Sequence, residues 1–368
     1  MNFDKLSRRR VLQGTAAVAL AGTLPARLAF AKDISVGFIY VGSRDDFGYN
    51  QAHSQGAAAL KKMAGVKITE EENVPETDAV EKTMESMINL DGATLVFPTS
   101  FGYFDPHILK LAPKYTNVRF EHCGGLWTEK NPKNVGSYFG YIDETQFLAG
   151  IVAGNMTKSG KLGFVAAKPI PQVLRNINAY TLGAKLANPK VTTQVIFTGD
   201  WSMPVKEAEA TNSLINAGAD VLTCHVDGPK TMVQTAAGRG AMVTGYHCSQ
   251  ASLAPNAYLT GAEWNWEDLY PKFVSTVLKG EMIPNFYRGG LKEGLVKLSP
   301  YGAMVTEAAR KQTDDVRAKF MSNGYTIFTG GLKDNKGNVV IPAGTDRGQT
   351  DPALESMNYL VDGVIGST

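Results

Sequence analysis

Residues 34–50 read Ile34-Ser35-Val36-Gly37-Phe38-Ile39-Tyr40-Val41, then Gly42-Ser43-Arg44-Asp45-Asp46-Phe47-Gly48-Tyr49-Asn50. Ile34–Val41 is a strand by composition. Gln51–Met63 follows at helical spacing, with Ala52, Ala59, Leu60 and Met63 apolar. The alternation continues outward. Val66–Ile68 is a short strand, and Asp78–Leu90 a helix with Val80, Met84, Met87 and Ile88 on one side. Thr94–Phe97 is a strand, Pro106–Ala112 a helix and Val118–Glu121 a strand. This β-α-β-α order argues for a parallel sheet with helices on both faces.

The pattern breaks near Gly136–Glu144 and restarts. Helices are expected at Thr145–Lys158 (rich in small residues), Gln172–Ala187, Pro204–Ala217 and Pro229–Gly238. Strands are expected at Lys161–Ala166, Thr192–Phe197, Val221–Cys224 and Ala241–Tyr246. Leu259–Ala262 adds a strand, Asn265–Lys279 a helix and Leu295–Leu298 a strand. Thr306–Ser322 is a charged surface helix, and Leu332–Val340 carries the hairpin turn Asp334-Asn335-Lys336-Gly337. Two parallel lobes facing each other put the loops after the strands into the cleft between them, where open α/β sheets bind ligands.

The start of the chain is of another kind. Ser7-Arg8-Arg9-Arg10-Val11-Leu12 opens an apolar run from Val11 to Leu24, and Ala29-Phe30-Ala31 is a small-x-small cleavage site. This is a secretory leader of the twin-arginine type, cut after Ala31. Its apolar run is shorter than the roughly 18–20 residues a membrane span needs. Export to the periplasm places the rest where ATP and NAD(P)H are scarce, and no cofactor is expected. The formal charge is +2, part of it in the leader, so no nucleic-acid surface is expected. Three cysteines, Cys123, Cys224 and Cys248, are not a disulfide framework. Either Cys224 and Cys248 bridge, or all three are small buried hydrophobes.

The strand-end loops carry the chemistry. They are Asp45–Asn50, Thr99-Ser100-Phe101-Gly102-Tyr103-Phe104-Asp105, Gly199-Asp200-Trp201, Cys224-His225-Val226-Asp227-Gly228, His247-Cys248-Ser249-Gln250 and Glu263-Trp264-Asn265-Trp266. Asp and Asn before a helix are explained as caps; Tyr49 is not. Rings around a cleft, with Asp, Asn and His between them, suit a flat heteroaromatic ligand. The adjacent pairs His122-Cys123, Cys224-His225 and His247-Cys248 match no zinc spacing, because neighbouring strand residues face opposite ways. No metal site is expected. Nor is there a GxSxG, HExxH or Walker-type loop, and catalysis is not expected.

Several pieces resemble the basic membrane protein (Bmp) family of substrate-binding proteins of ABC importers. They are Gly160-Lys161-Leu162-Gly163-Phe164-Val165, Ile170-Pro171-Gln172-Val173, Gly183-Ala184-Lys185, Asn188-Pro189, Phe147-Leu148-Ala149-Gly150, Gly218-Ala219-Asp220-Val221, Gln250 with Ala254-Pro255, and Leu259-Thr260. The resemblance runs from about Ile34 to about Leu298. It implies the type I periplasmic-binding-protein fold: two parallel-sheet lobes, three hinge crossings and no catalysis. Lobe 1 is expected over 32–141 and 264–290, and lobe 2 over 142–263 and 291–345, with 346–368 a C-terminal segment. The partners implied are a purine base or nucleoside and a membrane permease; the protein is expected to be a monomer. The family's ligand base lies between two rings, which fall here on Tyr49 and Trp201. Asn50 and Asp46 are expected at the base edge, with Asp105 as a second edge reader. Phe101, Asp227, His247 and Trp264 complete the expected set.

The sequence departs from the nucleoside-binding pattern twice. Where that pattern has a ribose-holding Asp stands His247, and where it has a Lys stands Trp264. The expected ligand is therefore a bare purine base, adenine first, with Trp264 filling the ribose space. The rival readings are a nucleoside or other heteroaromatic binder, a receptor's sensor partner, and an exported nucleoside-processing enzyme.

Overall fold

The computed structural model describes residues 33–322 and 324–368; the expected leader and its cleavage site lie outside the described residues. The first part of the chain runs β1 (Ile34–Ile39), α1 (Tyr49–Leu60), β2 (Val66–Glu71), α2 (Asp78–Asn89), β3 (Leu95–Pro98), a one-turn α3 (Leu109–Leu111), β4 (Arg119–Cys123) and β5 (Val135–Gly140). The second runs α4 (Asp143–Met156), β6 (Lys161–Ala166), α5 (Pro171–Ala187), β7 (Thr192–Phe197), α6 (Pro204–Asn216), β8 (Val221–His225), α7 (Lys230–Gly238), β9 (Met242–His247) and β10 (Tyr258–Trp264). Then come α8 (Trp266–Leu278), β11 (Phe286–Gly289), β12 (Val296–Leu298), α9 (Glu307–Met321), α10 (Pro352–Glu355) and β13 (Val364–Ile365).

Two sheets result. The first has the order β11-β5-β4-β3-β1-β2, and the second β12-β10-β9-β8-β6-β7-β13. Every pairing is parallel except β10 with β12. The central strands are buried on both faces, which is why they read as unbroken apolar runs. The chain passes between the sheets three times: after β5, after β10 and after β11. This is the α/β architecture with two parallel sheets expected from the alternation.

Three strands were not anticipated: the two-residue edge strand β13, which pairs with β7, and the pair β5 and β11. β5 (VGSYFG) and β11 (FYRG) pair with each other in register, Tyr287 opposite Tyr138. Their glycines hid them. Gly140 is glycine because Trp264 of the other sheet packs on it: a Cβ there would meet the indole at 2.8 Å. The helix expected over Pro106–Ala112 is instead a π-turn at Phe104–Ile108 leading into α3. The small residues of α4 allow close helix packing. A Cβ at Gly150 would lie 2.1 Å from the Tyr180 carbonyl oxygen of α5. Cys123, Cys224 and Cys248 are all free and buried, so the Cys224–Cys248 bridge does not form.

Candidate functional site: an aromatic slot between the sheets

The loop after β1 is shaped by Asp46. Its carboxylate accepts the backbone N–H groups of Gly48 (2.8 Å), Asn50 (3.0 Å) and Gln51 (3.0 Å) and the Asn50 side-chain amide (2.8 Å). It thus satisfies the orphan donors at the start of α1. Burial raises the Asp46 carboxyl, and these bonds pull it back down. Asn50 is spent as well, since its side-chain oxygen accepts from Gly42 N at 3.2 Å. With the loop fixed, Tyr49 projects from the first position of α1 and donates its hydroxyl to the Thr99 carbonyl at 2.6 Å.

The same loop touches the other sheet. Tyr49 N–H donates to the Asp227 carbonyl at 2.8 Å, and the Gln250 side chain donates to the Phe47 carbonyl at 2.6 Å. Gly48 has no side chain because none fits: a Cβ would stand 1.8 Å from the Asp227 carbonyl oxygen. Phe47 and His247 take positive φ, 53° and 72°, where residues other than glycine are strained. Both flank this junction, and strain of this kind collects at functional sites.

Beneath the junction lies a narrow slot of about 40 Å³, partly open to solvent. From the first sheet it is walled by Tyr49, Ser100, Phe101, Cys123 and Phe139, and from the second by Gln172, Trp201, His225, Asp227 and His247. Tyr49 meets His247 edge-on, with ring centroids 5.3 Å apart, and Trp201 tilts toward His225 at 6.3 Å. Lys168 stands 5.3 Å over the Trp201 ring and is paired with Asp200 at 2.8 Å.

Burial disfavours the charged form of each ionisable group in the slot. Burial pushes His225 down to about 3. His247 is lowered well below the ordinary value by burial and then by His225 and His53, against the Val226 carbonyl. Trp264 donates its indole N–H to His247 Nδ1 at 2.8 Å, which assigns the proton to Nε2. That atom is buried and faces the Val226 carbonyl outside good hydrogen-bond geometry. Burial pushes the Cys123 thiol up to about 12 and the Tyr49 phenol well above its usual range. Asp227 is pushed well up by burial, then by Asp46, Glu76, Asp200 and Glu207. Neutral rings, one imidazole N–H, an amide and one carboxyl make a surface that stacks on a flat molecule and reads its edge.

Of the expected residues, Tyr49, Phe101, Trp201, Asp227 and His247 line the slot. Four expectations need correction. Asp46 and Asn50 are consumed in the α1 cap, and Asp105 is exposed away from the slot. Trp264 is 3% exposed and lies behind the slot wall, so it does not fill space beside a ligand. It stacks on Trp266, keys into Phe139 at 5.1 Å and holds His247. Sequence reasoning missed Ser100, Cys123, Phe139, Gln172 and His225. Four of these belong to motifs already quoted; Phe139 lay on the unrecognised β5. The adjacent His-Cys pairs form no metal cluster among the described residues. A possible ligand group, Asp78, Glu81 and His107, sits elsewhere, with Glu81 already paired to Lys110 at 2.6 Å and to His107 at 2.8 Å.

A second, larger space, also partly open, adjoins the slot and shares Phe101 and Gln172 with it. The C-terminal residues bound it. Glu355 of α10 accepts from Arg288 of β11 at 2.6 Å and Arg175 of α5 at 3.2 Å, bridging the two sheets. Arg175 also pairs with Asp143 at 3.0 Å.

Comparison with known proteins agrees with this fold. Residues 33–328 match the family model for Bmp, described as ABC transporter substrate-binding protein PnrA-like. A purine-binding protein of Brucella abortus (strain 2308) is 34% identical over 348 residues, covering 94% of this chain and 97% of its own length. A putative ABC transporter glucose-binding protein of Haloferax volcanii is 28% identical over 334 residues, covering 90% and 81%. Among solved structures, the fold is shared with ABC transporter solute-binding proteins from Conexibacter woesei and Aeropyrum pernix K1. Both have a TM-score of 0.67 and 22% identity. They cover 79% and 82% of this chain, and 97% and 93% of their own.

Proposed function

The chain belongs to the Bmp family of PnrA-like ABC transporter substrate-binding proteins, and from that premise we propose that it captures a purine base, adenine first, and delivers it to a membrane permease. The observation that carries this reading is the slot. It offers rings from both sheets with Asp227, Gln172 and the His247 N–H between them. The Brucella relative named for purine binding supports the ligand class. The preference for a base over a nucleoside rests on His247 and Trp264, which stand where the nucleoside-binding pattern has an acid and an ammonium. A neutral imidazole backed by an indole offers ribose hydroxyls neither charge.

Capture proceeds by closure. The halves, 32–141 with 264–290 and 142–263 with 291–345, rotate about the three crossings, as hinged binding proteins do. Ligand bridging Tyr49 and Trp201 stabilises the closed population, and the contacts of Asp227 and Gln250 to the Tyr49 loop latch it. The closed monomer then docks on its permease in the periplasm, to which the leader directs it. No bond is made or broken.

The test is calorimetric titration of protein unfolded and refolded free of carried-over ligand, with adenine, guanine, adenosine, inosine and glucose. Adenine is expected to bind most tightly. Adenosine binding much more tightly than adenine would overturn the base preference, and glucose binding alone would overturn the purine reading.

A further inference from the structure

We infer that the ligand extends beyond a bare ring: the protein takes purines carrying an uncharged, apolar substituent, which the larger space beside the slot receives. This rests on the purine reading above and refines it. The argument begins with continuity. The two spaces share the walls Phe101 and Gln172, so a group leaving the base on that side enters the larger space directly.

The second step is what that space has to offer. Leu126, Ile170, Pro171, Phe286 and Phe320 give it apolar walls. Phe286, 47% exposed, and Phe101, 42% exposed, present ring surface to this space that an apolar substituent would cover.

All of its charged groups except Lys292 already have partners within the protein. Arg288 donates to Glu355. Glu144 accepts from Leu291 N at 2.8 Å and Gln349 Nε2 at 3.0 Å, and Glu293 accepts from Gly290 N at 2.8 Å. Burial raises Glu144 to about 7, which further weakens its charge. A ribose would need open donors and acceptors here. A phosphate would face the carboxylates of Glu144, Glu293 and Glu355, with Lys292 exposed at the rim. An alkyl or aryl group asks for neither and covers the exposed rings.

The experiment compares adenine, N6-benzyladenine, 9-benzyladenine, adenosine and adenosine monophosphate by titration calorimetry. The two benzyl isomers sample two exits from the base. One isomer is expected to bind about tenfold or more tightly than adenine, the ordinary effect of burying a phenyl ring. Phe286→Ser, outside the slot, should remove that gain and leave adenine binding as it was; Leu126→Ser is the second variant, should the first fold poorly. Adenine binding with no gain for either isomer overturns the inference alone. So does a gain that survives both variants, or a tighter hold on the monophosphate. Failure of adenine itself to bind sinks the purine reading instead.

Discussion

Replacing Gly48 with alanine should prise the slot open. The added Cβ would sit 1.8 Å from the Asp227 carbonyl oxygen and 2.5 Å from Pro229 Cδ. A carbon and a carbonyl oxygen rest at about 3.3 Å or more, so the two loops must part by about 1.5 Å. That movement breaks the Tyr49 N–H bond to Asp227 (2.8 Å) and the Gln250 bond to the Phe47 carbonyl (2.6 Å). Each contributes about 1 kcal/mol net, because the freed groups find water in the open form. The closed form therefore loses about 2 kcal/mol, roughly thirtyfold in population. Apparent affinity falls by up to that factor when ligand binds the closed form alone, and in full where the open form already predominates. Adenine titration should give a Kd up to about thirtyfold higher; where the closed form predominates in the ligand-free parent, the smaller rise in Kd should be accompanied by a larger radius of gyration in small-angle scattering. The Tm should fall by only a few degrees, the expected size for a loss of about 2 kcal/mol from a chain this long. A Kd within about threefold of the parent, with an unchanged radius, would refute the idea that these loops latch closure.

Three further outcomes are expected. Trp201→Ala should weaken adenine by ~1–3 kcal/mol if the ring stacks on the base; its thermal unfolding should move little, because the side chain is half-buried and its backbone bond with Asp227 remains. Glu355→Gln should cost about 1–2 kcal/mol in urea unfolding: it weakens the partner of two buried guanidiniums, but Glu355 is half-exposed and Arg175 keeps Asp143. Stability should hold nearly level from pH 7 to about 4.5 and then fall steeply. His53 and His225, lowered to about 3, and His122, lowered to about 4, bind fewer protons folded than unfolded below their ordinary 6.5, so acid costs stability. Glu121 and Glu144, raised to about 7, bind more protons folded and offset this loss down to their ordinary 4.5. Below that the offset ends. Calorimetric scans from pH 8 to 3 check it, and a steep decline already between pH 7 and 5 would contradict the balance.

The alternation of strands and helices was legible because a doubly covered parallel sheet demands unbroken apolar strands, and β1, β3, β6 and β8 supply them. β5 and β11 escaped because their apolar character is interrupted by Gly136, Gly140 and Gly289, whose reasons lie in distant packing partners. In the site, Tyr49 and Trp201 stood out because a large ring at a strand end has no local explanation. Asp46 did have one, helix capping, and that is what the structure shows; Asn50, read the same way, lies inside α1, where its side chain ties Asp46 to Gly42 N. Trp264 could not be placed from sequence. Whether an indole fills a cavity or props its wall depends on the His247 backbone at φ 72°, which no spacing reveals.

The way the two sheets share the chain bears on how the protein is made. The first sheet needs β11, which is synthesised after five strands of the second. The second needs β13 (Val364–Ile365). Neither sheet is built from one continuous stretch of chain, so each pairs residues far apart in sequence, an arrangement that slows folding. Removal of Val364 and Ile365 would strip the outer edge strand from one sheet, and removal back to Pro352 would also take away the Glu355 bridge to the other.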